Sequence, residues 1–404
     1  MDAKAKYLVV NGGSSSLKFS LYEMPGETEL VNGYIEKIGL EDCFWTLKQN
    51  GEKIENSRFL KNHKEAVVVM MQELVDHGII NDVAEIKGVG HRVLHGGEFY
   101  ADSMLIDDEV LHNIIDLTKL GPLHHPGQIA GIQAMREYLP ATPQIAVFDT
   151  AFHQTMPQYN YLYPVPYEWY EKYSVRRYGF HGTSHKFITG IMQEQLHKQQ
   201  VNLIICHLGS GASIAMIKDG KCCNTTMGLT PLDGLMMGTR CGGIDPSILK
   251  YVSHSANLDV DQITDILNKK SGLLGIAGKS DLRDIETLVD AGDERAQLAF
   301  DMILNSVIKY IAQYYFELNA AVDAIVMTAG IGENSIDLRK AIVNRLAKPM
   351  HIALDETANS NIARYKGKRS GVITTPESQI PVMVIPTDEE IMILRDTYEL
   401  ANRR

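Results

Sequence analysis

Arg92 and Arg240 are the side chains best suited to hold an anion, each lying in a glycine-bearing stretch: 91–97 for the first, 225–246 for the second. A guanidinium meets a carboxylate or phosphate through two parallel hydrogen bonds, although either arginine alone could equally sit on a solvated loop. His181 and His185 have the i, i+4 spacing of two metal ligands on one helix. Gly182 stands where a zinc protease of the HExxH type would carry glutamate, so that chemistry is excluded. His181 then reads as a donor to a developing phosphoryl charge, or as the neighbour of a helix cap at Thr183 or Ser184. Asp149 closes the apolar run 144–148, a usual place for a catalytic carboxylate in open α/β sheets. Glu389, between Asp388 and Glu390, could cap the last helix or reach Mg2+.

Substrate anions of this kind need a cradle. Residues 201–206 are apolar and rich in β-branched side chains, 207–211 read His-Leu-Gly-Ser-Gly, and 212–217 resume as a strand. A glycine-rich turn between strands exposes backbone N–H groups that suit a phosphate, while an ordinary hairpin turn is the plain alternative. The pattern occurs twice: 7–10 is apolar, 11–16 is Asn-Gly-Gly-Ser-Ser-Ser, and 17–22 is strand-like again. This repeat implies two similar α/β halves facing each other, as in the superfamily of actin, sugar kinases and heat-shock chaperone ATPases. A third glycine turn, 329–335, ends the strand 324–328 and opens a helix, a place for phosphate or ribose oxygens. Its Gly330-x-Gly332, with Asp355 beyond, also resembles a dinucleotide fingerprint, but Ser335 replaces the third glycine. There is no Walker A pattern.

The elements that must position these groups follow from periodicity. Residues 23–62 read as antiparallel strands, 63–77 and 107–120 as helices, 86–89 and 144–148 as strands, 121–127 as a loop and 129–138 as a helix. Residues 157–170 read as irregular, 186–198 as a helix, 225–246 as a long loop, and 246–270 and 281–319 as mainly helical. A strand at 382–385 leads into a final helix capped within 387–390. The 404 residues suffice for two or three domains, and the net charge of -11 argues against nucleic-acid or anionic-membrane partners. Anionic substrates must therefore be held by a local cationic cluster. Cys43, Cys206, Cys222, Cys223 and Cys241 are odd in number without CxxC spacing, which points to a reducing cytoplasm. No signal-peptide core and no apolar run long enough for a bilayer is present.

The motifs NGGSSSLKF, GHRVLHGGE, PLHHP, FDTAFH, YGFHGTSH, HLGSGAS, GLMMGTRCGGIDP, AGIGENS and PTDEE resemble, in this order, the acetate kinase family over nearly the whole chain. The resemblance implies two duplicated ribonuclease-H-like domains facing a cleft, of the actin-like ATPase superfamily. These are an N-terminal domain of 1–150 plus 387–404 and a C-terminal nucleotide-binding and dimerisation domain of 151–386. It also implies a cytoplasmic homodimer, Mg2+ with Mn2+ able to substitute, and reversible in-line transfer between ATP and acetate giving ADP and acetyl phosphate. Position by position it implies Asn11 and Glu389 as metal ligands, with Ser14, Ser16 and Lys18 beside the phosphates. Arg92 would hold the substrate carboxylate, Asp149 would be the active-site carboxylate, and His181 and Arg240 would stabilise the transition state. Leu94, Leu123, Phe180 and Pro231 would form the methyl pocket. The nucleotide loops would be His207, Leu208, Gly209, Ser210 and Gly211; Asp281, Leu282 and Arg283; and Gly330, Ile331, Gly332, Glu333 and Asn334.

The chain departs from the family pattern at Ser210 and His125, both usually Asn, at Gly243, usually Asp, and at Leu94, often Val. The larger Leu94 favours acetate over propionate or butyrate. Acetate is already ionised, so Asp149 orients Arg92 or a metal-bound water rather than taking a proton. Alignment and charge neutralisation then dominate the rate. The rival functions are a propionate or other short-chain acyl kinase, a nucleotide-sensing ATPase module, and an NAD enzyme resting on Gly330 and Gly332.

Overall fold

Apolar side chains crowd 7–10 and 203–208, and both segments become central strands with neighbours on either side. In the computed structural model, which describes residues 4–122, 124–363 and 369–403, the chain divides into two units, Met1–Phe152 with Asp388–Arg404, and His153–Thr387.

The first unit is built on strands β1 (Ala5–Gly12), β2 (Ser16–Met24), β3 (Thr28–Glu36), β4 (Phe44–Gln49), β5 (Glu52–Ser57), β6 (Ile86–Val93), β7 (Met104–Leu105) and β8 (Gln144–Phe148). Their order across the sheet is β5-β4-β3-β2-β1-β6-β8-β7. β1 to β5 form an antiparallel meander, and β6 and β8 then add parallel to β1. Alternation along β1 divides its side chains between two cores. Leu8 and Val10 pack with Val67, Met70 and Met135 of the helices His63–Asp76 and His125–Tyr138. Tyr7 and Val9 pack with Ile393 and Leu394 of the closing helix Glu389–Asn402.

The second unit repeats the scheme with β9 (Leu203–Leu208), β10 (Ala212–Lys218), β11 (Lys221–Thr225), β12 (Ala324–Thr328), β13 (Gly371–Val372) and β14 (Val382–Val384). Their order is β11-β10-β9-β12-β14-β13. β9, β10 and β11 are antiparallel hairpins, and β12 and β14 follow in parallel. Both sheets share a block of three antiparallel strands followed by two parallel ones, β3-β2-β1-β6-β8 in the first and β11-β10-β9-β12-β14 in the second, so the repeat seen in two glycine turns extends to topology. β9 is buried along its length, as a strand covered on both faces must be.

Several boundaries differ from the sequence expectations. The expected loop 121–127 ends in the first turn of the helix His125–Tyr138, which Pro126 can open because its missing N–H would be unpaired there anyway. The expected irregular stretch 157–170 contains two short helices, Gln158–Tyr161 and Tyr167–Tyr173. The glycine turn 329–335 is itself a short helix, Ala329–Asn334, with a second helix, Ile336–Met350, capped by Ser335. The strand β11 and the helix Gly272–Ala277 were not legible, being short and without clear periodicity. The closing helix is capped within 387–390 as expected, by Asp388, which accepts from Ile391 N.

Candidate active site

In the first unit, β6 delivers Arg92 and the end of β8 delivers Asp149, because the two strands are parallel neighbours with Val93 opposite Phe148. Arg92 Nε donates to Asp149 Oδ1 at 3.1 Å and Nη2 to Oδ2 at 2.8 Å. Asp149 is 1% exposed, so the carboxylate is spent on orienting the guanidinium. Glu389, first residue of the closing helix, brings Oε2 to 4.0 Å from Arg92 Nη1. Its other oxygen, Oε1, is buried and has no hydrogen-bond partner among the described residues. Burial raises the Glu389 carboxyl above the usual range, with Arg92 pulling the other way. An unmatched buried carboxylate oxygen suits a cation.

The first glycine turn is held from two sides. His63 Nε2 donates to Gly13 O at 2.8 Å, and the helix His125–Tyr138 presses its N-terminus against the turn. A Cβ on Gly127 would lie 2.2 Å from Gly13 O, so glycine is required for this approach. Asn11 is half-buried at the end of β1, while Ser14 and Lys18 are exposed and Ser16 is half-buried. Leu94 is 8% exposed and lies beside Gly121 and His125: a Cβ on Gly121 would be 3.2 Å from Leu94 Cδ2 and 2.8 Å from His125 Cδ2. Leu123, expected in the acyl pocket, lies outside the described residues.

In the second unit, the helix Gly182–Gln195 starts four residues earlier than its apolar spacing suggested. His181 is its N-cap, in the left-handed conformation with φ 57° and without a side-chain cap hydrogen bond. A bulky residue in that region stores strain, as is common at functional sites. The imidazole leans on β9 and β10 instead. Its Nδ1 is 2.9 Å from Ser213 Oγ, and the ring stacks on His207 with centroids 4.0 Å apart. Ser184 Oγ meets His207 Nδ1 at 2.8 Å and Thr387 Oγ1 at 2.7 Å.

Arg240 is half-buried on the long loop, with Nη1 donating to Pro231 O at 3.2 Å. Among the described residues it has no carboxylate partner, and burial lowers its pKa. A Cβ on Gly211 would stand 3.4 Å from His181 Nε2 and 3.5 Å from Arg240 Nη1. Two side-chain nitrogens therefore converge over the glycine turn between β9 and β10. Phe180, 1% exposed, precedes His181, and its carbonyl accepts from His153 Nε2.

A cavity of about 760 Å³ in the same unit is lined by Gly209, Ser210, Asp281, Leu282, Arg283, Gly330, Ile331 and Asn334, all expected at a nucleotide. Gly238, Ser280 and Glu286 also line it and were not singled out, and Ser335, the last residue of the glycine turn 329–335, lines it too. The clue for Ser280 was its adjacency to Asp281; Glu286 enters from one helical turn further along. His207, Leu208, Gly211, Gly332 and Glu333 do not line it. Glu333 is engaged instead with Thr387 N at 3.3 Å and Arg369 at 3.7 Å. Asp355, the acidic residue of the NAD alternative, is the N-cap of the helix Glu356–Asn361, so the fingerprint is incomplete.

Among the described residues no three His, Cys, Asp or Glu side chains gather into a metal cage. The oxygen donors of Glu389 and Asn11 suit instead a hard cation that takes its remaining ligands from phosphates and water.

A family model described as the Acetokinase family matches residues 6–395. An acetate kinase of Geobacillus sp. (strain WCH70) is 49% identical over 401 residues, covering 98% of this chain and 99% of the relative. The crystal structure of Porphyromonas gingivalis acetate kinase superposes with a TM-score of 0.93 at 41% identity, over 98% of this chain and 99% of that one. A propionate kinase from Francisella tularensis superposes with a TM-score of 0.90 at 42% identity, with the same coverage.

Proposed function

The chain belongs to the acetokinase family, and we propose that Arg92, His181 and Arg240 carry its reaction. That reaction is the reversible transfer of a phosphoryl group between ATP and acetate, giving ADP and acetyl phosphate. The fold is that of the actin-like ATPases. The observation that carries the assignment of residues is Arg240: a half-buried cation without an anion of its own among the described residues, whose Nη1 converges with His181 Nε2 over Gly211. A partly buried guanidinium is stable there when an anion arrives, and a transferring phosphoryl group is such an anion.

Acetate needs no general base, because its carboxylate is ionised at neutral pH. With Nε and Nη2 engaged by Asp149, Arg92 offers its Nη1 side to the acetate carboxylate. Asp149 keeps that guanidinium from rotating away. His181 and Arg240 donate to the equatorial oxygens as the γ-phosphoryl flattens, a contribution that is largest in the transition state. The cavity of Gly209, Asp281, Arg283 and Gly330 holds the nucleoside. Mg2+, or Mn2+ in its place, would be held by Glu389 and Asn11 with the phosphates, and when bound it neutralises phosphate charge. Leu94, with Phe180, Pro231 and Leu123, limits the acyl chain, which favours acetate over propionate.

Residues 1–150 with 387–404 form the acceptor domain, and 151–386 the nucleotide and dimerisation domain. Exposed apolar residues of the second unit, including Tyr251, Val260, Leu298 and Phe316, support a homodimer. Five free cysteines, three of them buried, support a cytoplasmic location. Among the described residues, no helix is long and apolar enough to cross a membrane.

Incubation with ATP, MgCl2, acetate and hydroxylamine tests the reading. Acetyl hydroxamate is expected. ATP hydrolysis without hydroxamate would instead favour a nucleotide-sensing ATPase.

A further inference from the structure

Ser213 lies fully buried on β10, directly across the ladder from His207. Its hydroxyl is 2.9 Å from His181 Nδ1 and 2.9 Å from His185 Nε2. The hydroxyl is buried, and among the described residues these two rings are its hydrogen-bond partners, so its one proton goes to one imidazole and its oxygen accepts from the other. Which way the proton points decides what His181 shows on its opposite edge.

His185 resolves the direction. It is fully buried, with His153 at 5.6 Å and His207 at 6.1 Å between ring centroids. Burial and these two rings push its pKa well down, so it is neutral and has a single ring proton. Among the described residues its Nδ1 has no hydrogen-bond partner. A buried N–H left without an acceptor is rarer than a bare acceptor atom, which places the proton on Nε2. His185 Nε2–H therefore donates to Ser213 Oγ, and the Ser213 hydroxyl donates to His181 Nδ1. Neutral His181 must then carry its own proton on Nε2, the atom that meets Arg240 over Gly211.

We propose that Ser213, backed by His185, is a positioning residue for phosphoryl transfer: it fixes His181 as the Nε2–H tautomer and aims that N–H at the transferring group. The proposal rests on the role given above to His181. The opposite tautomer would present a lone pair to the phosphoryl oxygens and repel them. The arrangement parallels the way a buried partner on one ring nitrogen of histidine sets the function of the other.

Ser213→Ala tests it. Turnover should fall roughly 10- to 100-fold, with the KM values for ATP and acetate within about twofold of the parent. The deficit should shrink as pH is lowered from about 8 to about 5, because a doubly protonated ring carries an Nε2 proton whatever its neighbour does. Parental turnover, or a deficit that is the same at every pH, would overturn the proposal. If the alanine variant does not fold, Ser213→Thr and Ser213→Val decide, since they match in shape and differ in the hydroxyl: the first should keep most turnover and the second should not. Equal turnover in these two overturns the proposal. His181→Ala is measured in parallel. Its inactivity together with full turnover in Ser213→Ala overturns the positioning role alone; full turnover in His181→Ala removes the role of His181 on which it depends.

Discussion

Two arginines of this chain look alike in sequence and differ in their electrostatic state. Arg92 is neutralised by Asp149 through two hydrogen bonds, whereas Arg240 has a backbone carbonyl and, among the described residues, no carboxylate. Arg240→Ala should therefore lower turnover at least about a hundredfold, with little change in unfolding temperature, since no ion pair is broken. Hydroxamate formation and thermal unfolding measured together check both halves of this expectation. With Leu94 proposed to limit the acyl chain, kcat/KM should fall from acetate to propionate to butyrate, and Leu94→Ala should flatten that series. A buried titratable group gives a third prediction. His91 sits fully buried on β6 with Nε2 bonded to Gln144, and burial lowers its pKa from 6.5 to about 4. The unfolded chain then binds more protons than the folded one between these values. Stability is whole above pH 6.5 and falls by about 3 kcal/mol as pH drops toward 4. His91→Gln should remove much of the difference between unfolding temperatures measured at about pH 7 and about pH 4.5.

At the scale of elements, function depends on close approaches that sequence marks only as glycine. The helix His125–Tyr138 reaches the first glycine turn through Gly127, where a methyl group would overlap the Gly13 carbonyl. Gly127→Ala should cost about 1–3 kcal/mol and raise the KM for ATP, as urea denaturation and initial rates would record. The glycine-turn hairpins were legible because apolar strands flank Gly and Ser in a repeated order. The start of this helix was not: Gly, Pro and two histidines at 121–127 read as loop by composition. Likewise His181 and His185 were legible as a spaced pair, but Ser213, which joins them, is one small residue inside an apolar strand. Nothing in local periodicity distinguishes it from a buried serine without a role.

The whole molecule is a duplication in which each unit keeps the same strand order around a glycine hairpin. The substrates should divide accordingly. ADP should slow amide exchange around 209–210, 281–286 and 330–335, and acetate around 92–94, as hydrogen-exchange mass spectrometry would register. Exchange changes spread evenly over both units for either ligand would contradict this division. By itself the sequence determined the mixed α/β fold and the acetate kinase family, because motif order and apolar alternation are properties of the chain. Only the tertiary structure decided which arginine is already neutralised, which carboxylate oxygen lacks a partner and which nitrogen of His181 faces outward. Those depend on contacts between strands and helices far apart in sequence, where burial and a partner's proton, not residue type, set the chemistry.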